Sequence, residues 1–370
     1  MNELNIESKT RLSHKSAVAL VEDVYTRSVK RRMYFFIAMM AALAAMTVMA
    51  IVTGVANIPA AESLYAVVVR LLPWLDEASV PRFTAVVVYE LRLPRIVMAI
   101  IGGAAFAMAG GTMQGVLRNP LVSPYILGLS HAAAFGAGLA IVFGVGFVGG
   151  EYIIVLNAFV FGLLAMVLVY GISSFRGITP ETVILAGVAV GYLFSAMVSA
   201  LKYFAPSHDQ LREIVFWLMG SLLPTTWGKV AIVLPVVVVC IAVMMYFAWD
   251  LNILTVGDEV ARSLGVNARR VTLITITAAT LATSVVISFT GIIGFIALVA
   301  PHITRMAIGT DHRFLLPASC LVGALLLLLA DTAARTVLSP LELPVGILTA
   351  AIGVPFFLYL MMRRRKTIWQ

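Results

Sequence analysis

The side chains best suited to hold a metal or attack a substrate are scattered along this chain. Histidines stand at positions 14, 131, 208, 302 and 312, and no two sit at the helical spacing of a ligand pair. His302 reads as a span-end histidine bonded to backbone. Cys240 and Cys320 lie inside apolar runs, which suits packing residues better than a disulfide or a metal pair. No nucleophile and base pair up by spacing, so the sequence offers no catalytic residue and no metal site. The phosphate loop Gly-x-x-x-x-Gly-Lys-Ser/Thr is missing as well. The only Gly-Lys pair, Gly228-Lys229, is followed by Val230, so ATP is not bound by that means.

Two charged groupings remain. Asp331 precedes Arg335 by four residues, which puts both on one helix face. They read either as a structural ion pair or as an acid steadying an arginine that meets a partner. The second grouping is a polar island between two long apolar stretches, Gly257 to Val266, which carries Asp258, Glu259, Ala261, Arg262, Ser263, Leu264 and Gly265. It has the charge and length of one or two short helices lying in water against a membrane face. Gly257 and Gly265 suit helix ends, and Asp258 and Glu259 suit the positive end of a helix dipole. The island reads as a solvated loop or as a socket for a soluble partner.

The elements that position these groups are membrane helices. The 370 residues are 61% hydrophobic and only 12% charged, with a mean hydropathy of +1.01. Repeated apolar runs of about twenty residues make an integral helical protein, not a barrel. The net charge of +8 gathers at span ends and does not suggest nucleic acid as a partner; membrane lipid is the solvent. Hydropathy predicts ten spans, near 34–55, 93–115, 126–147, 152–172, 181–203, 228–249, 269–289, 292–308, 314–337 and 344–362. Residues 1–33 read as a cytoplasmic tail or amphipathic surface helix. A signal peptide competes, but the polar lead is too long and the apolar run from Tyr34 to Val55 exceeds a signal core. With an even span count both termini share a side. The tail and the 363–370 segment, with Arg363 to Lys366, agree on the cytoplasm, which places the island there too.

Glycines 102, 103, 110, 111 and 115 mark the second span as a packing helix. A weak internal echo links Arg92 to Pro124 with Arg269 to Pro301, running in opposite directions as in inverted-repeat transporters. Membrane-embedded acids are nearly absent, which argues against proton or sodium coupling.

Four stretches together are specific. They are Leu91 to Arg95 continuing through Gly102, Gly110, Gln114 and Asn119-Pro120-Leu121; Trp217 to Ser221; the island; and Gly291 to Phe295 through Pro301, Arg305, Asp311, Asp331, Arg335 and Glu342 to Phe356. This set resembles the FecCD family, permease subunits of ATP-binding cassette importers for iron–siderophore complexes, haem and cobalamin, over about residues 90–363. The resemblance implies an all-α membrane protein of about ten spans with the type II importer architecture and an inverted-repeat-like core. It implies a second copy or a paralogous permease, two cytosolic ATPase subunits and an extracytoplasmic binding protein. No cofactor is expected on this chain; ATP and magnesium sit on the ATPase.

In such permeases the island, about 255–268 here, is the coupling helix pair that docks in the ATPase. Glu259, Ala261, Arg262 and Gly265 stand at the matching positions. Arg92, Arg95 and Arg335 match outer-face arginines that pair with carboxylates of the binding protein, a fork that also steers docking. For Arg92 and Arg95, snorkelling at a span end is the competing reading. Asn119 and Leu121 match a cytoplasmic gate. Thr179 stands where a second gate segment is expected, with Thr179-Pro180-Glu181 replacing a run of small hydroxyl residues. The implied cargo is a metal chelate, an iron–siderophore complex first, a corrinoid such as cobalamin next, then haem. A self-sufficient secondary transporter and a non-transporting scaffold are the readings from other classes.

Overall fold

The computed structural model describes residues 2–72, 74–75, 79–175, 177 and 179–362, with side chains from residue 26 onward except 359–361. The basic 363–370 segment lies outside the described residues. Among those described there are helices and no strands. This is the expected outcome for a chain whose backbone polar groups must be satisfied inside hydrocarbon.

One helix organises the rest. Helix α3 (Arg82–Val116) is buried along most of its length from Arg92 onward and packs against α11 (Ala268–Thr290), α12 (Ile296–Ile308) and α13 (His312–Thr336). Its glycines set those distances. A Cβ on Gly103 would stand 2.3 Å from the Gly323 carbonyl oxygen, and one on Gly110 would stand 1.7 Å from that of Ala297. Only glycine permits such approaches, so packing density replaces the hydrophobic drive that lipid removes. A π-helical turn, Val87–Arg92, interrupts α3 near its start.

The other elements are α1 (Asn2–Val52), α2 (Ala60–Leu71), α4 (Leu129–Phe143), α5 (Ile153–Ser174), α6 (Pro180–Phe204), α7 (His208–Met219), α8 (Trp227–Tyr246), α9 (Ala248–Val256), α10 (Asp258–Ser263) and α14 (Val345–Met362). Among the described residues seven helices are long and apolar enough to cross a membrane, and three more are apolar but shorter, in α4, α12 and α14. Each of the ten predicted stretches meets one of these. In α4 and α12 the predicted stretches were too long because apolar loop residues flank the helices, whereas α14 matches its predicted bounds to within one residue. Ile292 and Ile293, for example, belong to the loop before α12.

At the N-terminus, α1 runs without a break through position 33, so the predicted tail and first span are one helix. Arg31 donates to the Met306 carbonyl at 3.1 Å, and Arg32 lies 4.4 Å over the Phe314 ring. These contacts pin the middle of α1 to the end of the bundle that carries the island.

Candidate functional site

Within the island the structure has one short helix, α10, and the other member of the helix pair is α9, which precedes Gly257. α9 ends at Gly257, whose φ of 139° is a conformation other residues rarely adopt, and α10 begins at Asp258. Asp258 and Glu259 occupy the first turn of α10, at the positive end of its dipole. Ala261 is fully buried and its carbonyl accepts from the Val266 N–H at 2.8 Å. That contact, with Gly265 at φ 81°, folds the chain back toward α11. Ser263 closes on the Val260 carbonyl at 2.8 Å. Glu259, Arg262 and Ser263 are left facing outward. So are two apolar side chains, Val260 at 40% and Leu264 at 63% exposed. Their spacing of four residues puts them on one face, a stripe that hydropathy averaged over the island conceals.

α9 ties this knob to the bundle. Asn252 donates to Asp311 at 2.8 Å and accepts from the His312 N–H at 2.8 Å, with its oxygen also 2.8 Å from His312 Nδ1. Burial opposes ionisation of Asp311, yet hydrogen bonds from Arg313 and Asn252 hold its carboxyl down at about 2.

Beside the island lies a cleft of about 550 Å³ that joins three regions distant in sequence. Its walls include Arg118 after α3, Thr179 and Pro180 at the start of α6, and Asp258, Arg262 and Gly265 of the island. Arg118 forms an ion pair with Asp258 from a left-handed backbone, φ 47°, that is uncommon outside glycine. Sequence reasoning passed over Arg118; a basic residue directly before Asn119-Pro120-Leu121 was the signal available. The Asn119 side chain accepts from the Leu121 N–H at 2.9 Å, a local turn that leaves Leu121 exposed. Thr179 is the N-cap of α6 in a reciprocal capping box with Thr182. The expected coupling and gate segments are thus neighbours.

The far end of α3 is built differently. Arg92, Arg95 and Arg335 were expected at the surface, and each is buried, at 4%, 5% and 3% exposed. Arg92 donates to the Ile51 carbonyl at 2.6 Å and to Ala56 at 2.8 Å. Arg335 donates to Thr53 at 3.3 Å and to Ala50 at 3.4 Å. The end of α1 has carbonyls without helical partners and the negative pole of its dipole, so two guanidiniums cap it. Arg95 donates to Asp331 and to Glu342, both at 2.7 Å. Asp331 is fully buried, with its second oxygen 3.2 Å from Arg335. Of the two readings of Asp331 and Arg335, the geometry is that of a structural pair, extended to a third member by Arg95. These guanidiniums are committed to the chain's own carbonyls and carboxylates and present no free fork to a partner.

Among the described residues no three His, Cys, Asp or Glu side chains gather as a metal site. Cys240 is buried and Cys320 half-buried, and both are free thiols.

A family model described as the FecCD transport family matches residues 40–363. The cobalamin import system permease protein of Halobacterium salinarum is 40% identical over 337 residues, covering 87% of this chain and 88% of that protein. The iron(3+)-hydroxamate import system permease protein of Bacillus subtilis is 38% identical over 284 residues, covering 76% and 72%. A solved structure described as a metal-chelate type ABC transporter in an inward-facing conformation superposes with a TM-score of 0.77 at 32% identity. It spans 90% of this chain and 99% of that one.

Proposed function

The chain belongs to the FecCD transport family of ABC importer permeases, and from that premise we propose that it conducts an iron–siderophore complex into the cytoplasm using ATP hydrolysed by a partner. The observation that carries this reading is the island. A helix with Val260 and Leu264 outward stands beside a cleft shared with Arg118 and Thr179. The Lys and Arg bias puts the island and both termini in the cytoplasm. There α10, with Glu259 and Arg262 on its outer side, fits a groove of one ATPase subunit, the second permease copy engaging the other, and the two ATPase subunits bind ATP and magnesium. This chain contributes no nucleotide site of its own.

Closure of the ATPase pair on ATP pushes α9 and α10. Through Asn252 the push reaches α13, and through Arg118 it reaches the Asn119–Leu121 gate, with Thr179 across the cleft. Such a rigid-body push biases a bundle between two packings. A second copy or a paralogue completes the path, and an extracytoplasmic protein delivers cargo. The open cleft on the island side fits an inward-facing state.

A corrinoid is the second reading, favoured by the extent of similarity to the cobalamin permease. The test is reconstitution in liposomes with the ATPase and the binding protein, supplying a ferric hydroxamate or cyanocobalamin. ATP-dependent accumulation of the ferric chelate is expected. Concentrative uptake by this chain alone, without nucleotide, would refute the assignment. Accumulation of cyanocobalamin only would move it to the second reading.

A further inference from the structure

The seam that opens at the island continues into the bundle. On α6, Thr179, Pro180 and Val183 line the island-side cleft. Gly187, Gly191 and Ser195 follow at four-residue steps from Val183 and line a second cavity of about 430 Å³. Each step of four turns the helix face by only about 40°, so Val183 and Gly187 carry the wall of the first cavity over to the second. The opposite wall advances in the same order. Val116 to Arg118 line the first cavity, and Tyr125, Gly128 and His131 line the second, with the Asn119–Leu121 segment between them in the chain.

Backbone contact fixes the depth of the second cavity. A Cβ on Gly128 would stand 2.7 Å from the Gly191 nitrogen, and one on Gly187 would stand 2.2 Å from the Ile126 oxygen. Gly191 lies near the middle of the 25-residue α6, so His131 sits close to the bilayer midplane.

Two polar side chains are exposed there. His131 is exposed and Tyr192 is 76% exposed. Neither the imidazole nor the phenol has a hydrogen-bond partner among the described residues. Tyr125, by contrast, donates its hydroxyl to the Ile293 carbonyl and serves as wall. Unpaired donors and acceptors facing lipid tails at mid-depth are costly, so intramembrane groups of this kind face water, a ligand or another protein surface.

We propose that His131, Tyr192 and Ser195 form a polar subsite at mid-membrane that touches the chelate in transit. It takes oxygen acceptors on the periphery of the complex, such as hydroxamate, carboxylate or amide oxygens, to which imidazole N–H, phenol and hydroxyl donate. The metal itself is already held by its chelator, and a single histidine asks for no share in it. This subsite rests on the importer reading above and adds the residues that sense the cargo.

The test uses the assembled transporter in liposomes, with Cys240→Ala and Cys320→Ala as background and His131→Cys added. A charged, membrane-impermeant thiosulfonate supplied on both sides should modify position 131. Position 193, set to Cys in place of exposed Leu193, is the comparison for a lipid-facing site. Absence of labelling at 131 would overturn the subsite, as lipid or a second copy of the chain packed over the histidine would give. The second arm measures uptake of a ferric hydroxamate and of cyanocobalamin by His131→Gln and Tyr192→Phe. One lost hydrogen bond should change the ratio of the two rates by roughly three- to tenfold. Labelling with both rates unaltered would also overturn it. Failure of the unmodified complex to use ATP for any uptake would fall on the importer reading instead, while the labelling arm still reports on water access.

Discussion

Two charged clusters stand at opposite ends of α3, roughly 40 Å apart by helical rise from Arg92 to Arg118, and they are assembled on opposite terms. At one end Arg92, Arg95 and Arg335 are withdrawn from solvent and spend their donors on the last carbonyls of α1, on Asp331 and on Glu342. At the other, Glu259 and Arg262 face outward, and the Arg118–Asp258 pair stays partly open at the mouth of a cleft. The first cluster locks α1, α3 and α13 together. The second leaves a knob with unspent contacts. Charge density alone does not separate a clamp from a socket; what separates them is whether helix-end carbonyls and acids lie within reach.

The largest effect should come from opening the clamp. Asp331→Ala leaves Arg335 without a carboxylate and Arg95 with Glu342 alone, and removal of one member of a buried ion pair costs about 3–5 kcal/mol. The expected outcome is a lower unfolding midpoint for the isolated chain in detergent. An unchanged midpoint would mean that the clamp contributes little to stability. Next, Val260→Asp combined with Leu264→Asp should weaken binding of the ATPase partner by roughly tenfold or more, the scale of an interface hot spot of about 2 kcal/mol. The midpoint should not move, because both side chains are exposed. If the partner binds the double variant as well as the parent, α10 is not the socket. The smallest effect belongs to the half-open pair. Arg118→Asp should lower ATP-driven uptake, and adding Asp258→Arg should restore part of it, with a coupling of about 0.2–1 kcal/mol. A swapped pair no better than either single variant would make the contact incidental.

Much of the architecture was legible in the residues. Ten apolar stretches became ten helices, the glycines of α3 marked the packing helix, and Gly257 and Gly265 marked the two ends of the exposed α10. The α2, α7 and α9 helices were not legible, since each is short and mixed in polarity and its helicity depends on what it lies against. The arginines misled for a related reason. Nothing around Arg92 announces that Ile51 and Ala56 will offer their carbonyls, and Glu342 reaches Arg95 from 247 residues away.

By itself, then, the order of residues determined that this chain lives in a bilayer, how many apolar stretches it has, where it turns polar and that it lacks a phosphate loop. Those properties are sums over neighbouring residues, and hydropathy reads them directly. Which charges are buried, that Arg118 meets Asp258, and that His131 and Tyr192 line one cavity were decided only when α3 and α6 found their neighbours. Such outcomes depend on close backbone approach and on orphaned helix-end groups, and both belong to pairs of elements, not to any one stretch of chain.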